Sequence, residues 1–454
     1  MVSQEKQKKV FAYIDSQIDR YVEELSEIVR YRSMSSEGTG MLEGAKAVAR
    51  LVQASGFESE VNIQKNGNPI VTGCTGKSKS KRVGIYGHYD VFPEGDVSKW
   101  IVNPYEPKVI DKKLYGRGTT DDKGNLFANV KAAEAVKTVL GDIPVDLAFL
   151  FEGEEEIGSK SLKGFLDKKR DAFSELIGFI ACDRGWHESG RPQVFLGCKS
   201  NVTFTVKIRY ADRNIHSGQA PIIPNPAWEL LHLMSKIRDD KGNIRIPVLQ
   251  EEKFKPTDQD IQLLRTIPFD IEEYKLTYGI QTLTNEKSNL DALKELVFRD
   301  SCNINNFVAG SEGANGIIPG YATTTVDMRL SSEYDPYKLR DSLVDMIKQI
   351  SPDAEVDTFV MHGYRSSPND EFVKDILNTI ETTFQEPVVW PQWDGSGPLG
   401  ILSRSFGVPA MIIGLGAPFS KAKTHSDNEY IGLVDIKNGI KLMASIFMNA
   451  WDKN

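Results

Sequence analysis

The amino-acid sequence predicts a mixed α/β protein with a largely parallel central sheet and a smaller α+β unit inserted into it. Short, almost continuously apolar runs alternate with amphipathic helices near both ends of the chain, which is typical of strands covered on both faces. In the middle, the strands alternate apolar and polar residues, as in sheets with one exposed face. We therefore expect a discontinuous larger domain, residues 1–198 and 367–454, and an inserted domain, residues 199–366.

The N-terminal part of the chain supplies most of the larger domain. Its first apolar residues recur every three or four positions and predict one long amphipathic helix; they are Phe11, Ile14, Ile18, Tyr21, Leu25 and Ile28. A second helix is expected at about 41–55. Buried strands are then predicted at 83–87, 145–151 and 177–182, with a helix at about 123–140 between the first two.

The inserted domain has the periodicities of a ferredoxin-like unit. Its first strand, 202–210, alternates strictly and is expected to bury Val202, Phe204, Val206, Ile208 and Tyr210. A helix with Asn225 as its N-cap follows, and its predicted core residues are Leu230, Leu231, Met234 and Ile237. Further strands are expected at about 302–309, 322–330 and 355–361, with a helix that opens at Asp335 before the last. Strand–helix–strand–strand–helix–strand is the order of a small two-layer α+β fold.

The C-terminal part of the chain returns to the α/β pattern. A helix at 370–384, an apolar strand at 409–415 and a helix from about 434 are predicted. If the two domains were arranged in tandem, this strand would have no sheet to join. The order of elements therefore favours an insertion.

Composition excludes several classes of function. The 454 residues are 40% hydrophobic and 26% charged with a net charge of −8, and no run of Lys or Arg exceeds a few residues, which argues against nucleic acid or an anionic membrane as partner. No apolar stretch approaches the roughly 18 residues of a membrane helix, and the N-terminus has no apolar signal core, so cytoplasm is the expected location. The four cysteines form no CxxC pair, so neither a disulfide framework nor a cysteine zinc site is expected.

Polar residues follow the predicted strands at several places. His88 and Asp90, in 87-GHYDV-91, leave the carboxyl end of a buried strand, where α/β proteins place their sites. His88 can bind a metal while Asp90 orients its ring, although a surface pair is the alternative. Asp121 and Asp122, in 116-GRGTTDDKGN-125, precede a predicted helix, where a ligand or a helix-capping carboxylate is expected.

Three further acidic or histidine-bearing segments lie at strand ends. Four glutamates crowd into 152-EGEEEIGS-159, either as a solvated face or as a site that needs cations to neutralise it. Asp183 follows the third buried strand. His425, in 424-THSDNE-429, lies in the loop after the last apolar strand.

These segments together indicate a two-metal site. The set combines two imidazoles with three carboxylates, and three carboxylates plus a hydroxide balance the charge of two dications. Imidazole and carboxylate ligands without thiolate fit Zn²⁺, with Mn²⁺ or Co²⁺ as alternatives.

The five segments, in this order and spacing, resemble the M20 family of metallopeptidases, which includes carnosinase-type dipeptidases, carboxypeptidase G2 and succinyl-diaminopimelate desuccinylase. The resemblance covers essentially the whole chain, including the insertion. It implies a di-zinc catalytic domain, residues 1–198 and 367–454, and a lid domain, residues 199–366, that forms a homodimer.

The resemblance also implies a role for each residue of the metal site. Glu155 matches the general base, Asp90 the carboxylate that supports a ligand histidine, and Asp122 a position that is not a ligand. Asp121 matches the ligand that bridges both metals. The full set of implied metal ligands is His88, Asp121, Glu156, Asp183 and His425.

Three residues are implied on the substrate side. His216, in NIHSG, matches a histidine that reaches the neighbouring subunit's site and polarises the scissile carbonyl. Arg329 matches an arginine that binds the substrate carboxylate, and Ser396 matches a loop that contacts substrate. Two departures fall here: Asn214 and Ile215 replace the commoner Asp-Leu before His216, and the Ser396 loop reads DGSGP where GGSIP is commoner.

We therefore expect metal-dependent hydrolysis of a peptide bond in dipeptides or short peptides. Another amide hydrolase of the family, such as an aminoacylase, a desuccinylase or a carbamoyl-amide hydrolase acting on an N-acyl amino acid, stays open because these enzymes share the metal site. A metal-binding scaffold without turnover is the third possibility. The presence of Glu155 beside five ligands argues against it.

Overall fold

The computed structural model describes residues 3–77, 79–251, 254–284 and 288–449. The α-helices are α1 (Gln4–Ser16), α2 (Ile18–Val29), α3 (Met41–Ala54), α4 (Lys123–Leu140), α5 (Leu162–Lys168), α6 (Pro226–Ile237), α7 (Pro247–Glu251), α8 (Asp258–Thr266), α9 (Ile271–Tyr278), α10 (Asn289–Phe298), α11 (Pro336–Ile350), α12 (Glu371–Thr383), α13 (Leu399–Phe406), α14 (Phe419–Ala422) and α15 (Leu433–Asn449). Within the described ranges, no helix is both long and apolar enough to cross a lipid bilayer.

The β-strands form one large sheet and several smaller ones. They are β1 (Glu58–Asn62), β2 (Ile70–Cys74), β3 (Arg82–His88), β4 (Lys108–Ile110), β5 (Lys113–Tyr115), β6 (Asp146–Glu152), β7 (Leu176–Ala181), β8 (Gln193–Phe195), β9 (Gly197–Cys198), β10 (Ser200–Arg209), β11 (Ile215–His216), β12 (Ser301–Ala309), β13 (Ile317–Ile318), β14 (Tyr321–Leu330), β15 (Glu355–Met361), β16 (Tyr364–Arg365), β17 (Val388–Trp390), β18 (Ala410–Ile413) and β19 (Tyr430–Gly432).

The large sheet has the order β1-β2-β6-β3-β7-β18-β8-β17. Its centre is parallel, because β3 pairs in parallel with β6 and β7, and β7 with β18. Every residue of β3 and β6 is buried, because helices cover both faces of the sheet: α3, α4 and α15 on one face, α5 and α13 on the other. This mixed, largely parallel α/β sheet confirms the predicted fold class.

The N-terminal segment forms two helices, so the prediction of one long helix was wrong. The break lies at Gln17, where the Ser16 hydroxyl donates to the Tyr13 carbonyl and competes with the helical hydrogen bonds. Both helices still bury their apolar faces against the same core, through Ile14 and Tyr21 among others. The apolar residues therefore keep the spacing of one helical face on both sides of Gln17. This spacing alone does not reveal that the helix is broken there.

The four-stranded sheet has the order β12-β14-β10-β15, with antiparallel pairs throughout. The helices α6 and α11 lie on one face and share its apolar core. Strand–helix–strand–strand–helix–strand is the order that the sequence predicted. The strands β9 and β16 pair beside it through Cys198 and Tyr364, so the chain enters and leaves this unit at one place. The exact boundaries at 198/199 and 366/367 stay a prediction.

Two residues assigned to the core of this unit lie outside it. Leu231 is 46% exposed, because α6 buries Leu230 and Leu233 and so turns Leu231 away from the sheet. Tyr210 is 40% exposed, because β10 ends one residue earlier, at Arg209.

A helical segment that the sequence analysis did not assign interrupts the ferredoxin-like unit. The helices α7 to α10 lie between α6 and β12. Leu264 and Val297 of this segment pack against Val388 of β17, the edge strand of the large sheet. The segment therefore covers an edge that would otherwise expose unpaired backbone groups.

Gly84 tests how tightly the central strands pack. A Cβ at Gly84 would lie 2.3 Å from the ring of Phe179 on the neighbouring strand β7. We expect Gly84→Ala to destabilise the protein by about 1–3 kcal/mol, because both strands are buried and neither can shift freely. Thermal and urea denaturation of the purified variant measure the effect.

Gly164→Ala is the matched control. Gly164 is exposed in the interior of α5 with no atom within 4 Å of a Cβ, so alanine there is expected to stabilise the helix by about 0.5–1 kcal/mol. Equal stability of the two variants would contradict the packing described for β3 and β7.

Candidate metal centre and active site

The carboxyl ends of three neighbouring parallel strands supply most of the site. His88 is the last residue of β3, Glu155 and Glu156 follow β6, and Asp183 follows β7. Because β6, β3 and β7 are adjacent and parallel, these residues meet at one edge of the sheet. Asp121 reaches the same edge from the turn before α4.

Asp121 lies between the two histidines. Its Oδ1 is 3.1 Å from Nε2 of His88, and its Oδ2 is 3.1 Å from Nε2 of His425. The Nε2 atom of His425 also lies 3.2 Å from a Glu156 oxygen, and that of His88 lies 4.0 Å from an Asp183 oxygen. The structure therefore brings all five predicted metal ligands together.

Asp90 connects two of these segments. Its carboxylate oxygens accept hydrogen bonds from the backbone N–H groups of Glu155, at 3.2 Å, and Glu156, at 3.1 Å. Oδ1 also lies 3.3 Å from Nδ1 of His88. Asp90 is fully buried, so it fixes the ring of His88 and the path of the glutamate loop at the same time.

Two positioning carboxylates were not predicted. Asp122 accepts the backbone N–H of His88 at 3.0 Å. Glu429 accepts the backbone N–H groups of Thr120 and Asp121 and, at 2.8 Å, a hydrogen bond from the Arg117 guanidinium. Glu429 is fully buried and so holds the turn that presents Asp121. The one sequence signal for Glu429 was its position four residues after His425, together with Arg117 in the distant glycine-containing turn 116–125.

Crowding of like charges perturbs the whole cluster. Burial and the neighbouring Asp183 carboxylate raise the pKa of Glu155 well above its usual range, and burial with the Asp121 charge raises the pKa of Asp183 to about 7. For Asp121, burial acts upward, but hydrogen bonds from His425 and His88 outweigh it and hold its pKa far below normal. The carboxylates thus lack sufficient positive partners among the protein's own groups.

These residues fit divalent metal ions. Ligand atoms of His88, Asp121 and Glu156 lie within 4.8 Å of one another, and so do those of His88, Glu155 and Asp183. The two oxygens of Asp121 face different histidines, as a bridging ligand requires. Oε1 of Glu156 is buried and has no hydrogen-bond partner among the described residues. Imidazole and carboxylate are the donors that zinc and manganese accept.

The cluster forms the floor of a cleft of about 640 Å³, which we call the catalytic cleft. The ferredoxin-like unit provides its other wall through Asn201, Arg329 and Phe359. The Arg329 guanidinium is held by Asp327 at 2.9 Å and remains about one-third exposed. The side chain of Ser396 also lines the cleft, and its hydroxyl has no partner among the described residues.

Among the described residues, His216 is the one predicted site residue that neither contacts the metal-ligand cluster nor lines this cleft. It is exposed in the short strand β11, and its Nδ1 accepts the backbone N–H of Gly218. It is not among the residues that line the catalytic cleft. Its implied role therefore requires a second subunit.

A histidine and carboxylate cluster at the edge of such a sheet, facing an inserted α+β unit, defines a class of metallopeptidases. The chain belongs to peptidase family M20/M25/M40, whose sequence model matches residues 84–449. The protein is therefore a hydrolase, as predicted.

Similar proteins cover the chain almost completely. The human Beta-Ala-His dipeptidase is 27% identical over 97% of this chain and 92% of its own length. The Cys-Gly metallodipeptidase DUG1 of Candida albicans is 26% identical over 96% of this chain and 95% of its own. The M20 family metallo-carboxypeptidase Sso-CP2 of Sulfolobus solfataricus superposes with a TM-score of 0.90 at 27% identity, covering 95% of this chain and 99% of that one.

Asp90→Asn tests the positioning of the cluster. The amide cannot accept both backbone N–H groups, so one donor of the glutamate loop loses its partner. We expect zinc affinity and kcat/KM to fall by about 10- to 100-fold, the range for a residue that orients ligands. Competition with a chelator measures the affinity.

Asp96→Asn makes the same substitution at an exposed turn near the site, where Asp96 caps a short helix through Ser98. It is expected to leave zinc affinity unchanged. An Asp90→Asn variant that binds zinc like the wild type would show that Asp90 does not position the ligands.

Proposed function

We propose that this protein hydrolyses the peptide bond of dipeptides or short peptides with the help of two divalent metal ions. The observation that carries the proposal is the meeting of five ligand side chains and Glu155, all of which except the buried His88 line one cleft. The names of the human and Candida relatives, both dipeptidases, support the choice of substrate class.

The ligand set divides naturally between two ions. His88, Asp121 and Asp183 would hold one, and Asp121, Glu156 and His425 the other, with Asp121 shared. Zinc fits this donor set best, and manganese or cobalt are alternatives. When bound, such ions lower the pKa of water and polarise a carbonyl group.

Glu155 is the proton carrier in this proposal. It is half-buried on the cleft floor beside the ligands Glu156 and Asp183, where its carboxylate can take a proton from the attacking water. The same carboxyl then donates that proton to the nitrogen of the leaving amine. Asp90 fixes the backbone of Glu155 and so keeps this carboxyl in place between the two transfers.

Residues of the inserted unit bind the substrate. Arg329 points a guanidinium held by Asp327 at the cleft and is proposed to bind the substrate's carboxylate. Ser396, from the larger domain, lines the same cleft with a hydroxyl that has no partner among the described residues. Because Phe359 packs against Gly158 in the glutamate loop, residues 199–366 are proposed to act as a lid that closes over the metals.

The proposal includes a homodimer formed through this lid. Strand β12 is an edge strand that exposes Ile304 and Phe307, and the neighbouring region exposes Ile222 and Trp228. Exposed apolar groups of this kind mark protein interfaces. His216 lies on the same unit and is proposed to polarise the scissile carbonyl in the partner's cleft.

A cytoplasmic location is part of the same proposal. All four cysteines are free thiols, and three of them are buried, as suits a reducing compartment.

A substrate panel tests the activity. Purified protein with Zn²⁺ or Mn²⁺ is expected to release amino acids from unblocked dipeptides and to lose that activity after chelation. Glu155→Gln keeps the five ligands and is expected to retain two metals per chain while kcat falls at least a few hundred-fold, since it removes the proton carrier. Metal content is measured alongside turnover.

The panel also includes N-acyl, N-succinyl and N-carbamoyl amino acids. Cleavage of these compounds alone would replace the dipeptidase proposal with another amide hydrolase on the same site. Normal turnover by Glu155→Gln would contradict the role of Glu155.

A mixing experiment tests His216. Neither His216→Ala nor Glu155→Gln is expected to turn over substrate well alone, and His216→Ala should keep its thermal stability because the side chain is exposed. Random exchange of subunits gives mixed dimers with one intact site, so the mixture should recover about a quarter of wild-type activity. Light scattering measures the dimer, and an inactive mixture of exchanged dimers would contradict action across the interface.

A further inference from the structure

A second cavity adjoins the catalytic cleft. It has a volume of about 240 Å³ and lies beneath α9, and we call it the aromatic cavity. Three side chains line both spaces: Arg184, Trp393 and Phe419. The other rings around it belong to Trp186, His187, Phe195, Phe269, Tyr274, Tyr278 and Trp390. The two spaces therefore adjoin along Arg184, Trp393 and Phe419.

The wall formed by these three side chains adjoins the metal site. Arg184 follows the predicted ligand Asp183, and its guanidinium carbon lies 3.6 Å from the ring centroid of Trp393 and 4.5 Å from that of Phe419. A substrate bound at the metals would therefore place a side chain beside this wall. One loop reaches both spaces, since Asp394 lines the aromatic cavity and Ser396 lines the cleft.

The charges of the aromatic cavity favour a cation. Four carboxylates line it against one guanidinium, that of Arg184, which already faces two rings. Of these carboxylates, Glu188 pairs with Lys421 at 3.0 Å and Asp270 caps the N-terminus of α9. Glu273 and Asp394 form no ion pair within the described part of the chain. Asp394 is also the first residue of the DGSGP loop, where the commoner family sequence has glycine.

The shape and chemistry fit one long side chain. A cavity of this size is smaller than the sites that hold drug-sized ligands. Ring faces attract cations, and the apolar stems of lysine and arginine pack well along such surfaces. The carboxylate of Glu273, which also lines the cavity, can then meet the cationic head.

We propose that the aromatic cavity is a specificity subsite of the catalytic cleft that holds a lysine or arginine side chain of the peptide substrate. This inference rests on the proposed peptidase function. Glu273 and Asp394 attract the cationic head, and Trp393 with Phe419 guides the stem from the cleft.

Matched substrates test the subsite. Lys-Ala is compared with norleucyl-Ala, and Ala-Lys with Ala-norleucine, because norleucine keeps the lysine stem without its charge. We expect kcat/KM to favour lysine at one of the two positions by at least about fivefold. Glu273→Gln should lower that ratio by about two- to fivefold, the range for one exposed ion pair, and Glu273→Lys should lower it further.

Glu272→Gln is the control variant. Glu272 lies on the same helix but pairs with Lys275 and does not line the aromatic cavity, so its loss should leave the lysine-to-norleucine ratio unchanged. A wild-type ratio near one at both positions, with Ala-Ala cleaved normally, would overturn the subsite and leave the peptidase proposal intact.

A binding measurement decides the inference even if no dipeptide is cleaved. Trp390 and Trp393 both line the aromatic cavity, so a ligand there should change tryptophan fluorescence. Lysinamide is expected to bind more tightly than norleucinamide, and Glu273→Gln should reduce the difference. Equal binding of the two amides would overturn the proposal, whereas failure of Ala-Ala cleavage alone would overturn only the peptidase function.

Discussion

The candidate site depends on a single carboxylate, Asp121, whose two oxygens each lie 3.1 Å from a different histidine. One histidine ends a central strand, and the other belongs to a loop near the C-terminus. Asp121 therefore joins the first and last parts of the chain at the point where metal ions would bind. Around it, carboxylates outnumber the protein's positive groups, so the arrangement is favourable only with added positive charge.

A layer of buried carboxylates fixes this arrangement. Asp90 holds His88 and the glutamate loop, Asp122 holds the backbone of His88, and Glu429 holds the turn that carries Asp121. Each accepts hydrogen bonds from backbone groups whose positions the strands and α4 determine. The sheet thus sets the distances between ligands, and Asp90, Asp122 and Glu429 hold the ligand side chains in that arrangement.

The inserted unit supplies part of the lining of both the catalytic cleft and the aromatic cavity. Arg329 and Phe359 come from its sheet, whereas the aromatic cavity is closed by α9 of its helical segment. That segment also covers the edge strand β17. It therefore stabilises the larger sheet and at the same time lines the aromatic cavity.

The sequence by itself determined the buried strands and indicated the candidate ligands near their ends, because strand ends are marked locally by apolar runs that stop at polar residues. It did not reveal the break at Gln17, since α1 and α2 bury the same face, nor the exposure of Leu231, since apolarity alone does not say which face of α6 meets the sheet. Only the tertiary structure showed that Glu429 supports Asp121 and that Arg184 lines two adjoining cavities. These contacts join residues far apart in the chain, and such pairings are set by how the sheet and the inserted unit pack, which no local pattern of residues records.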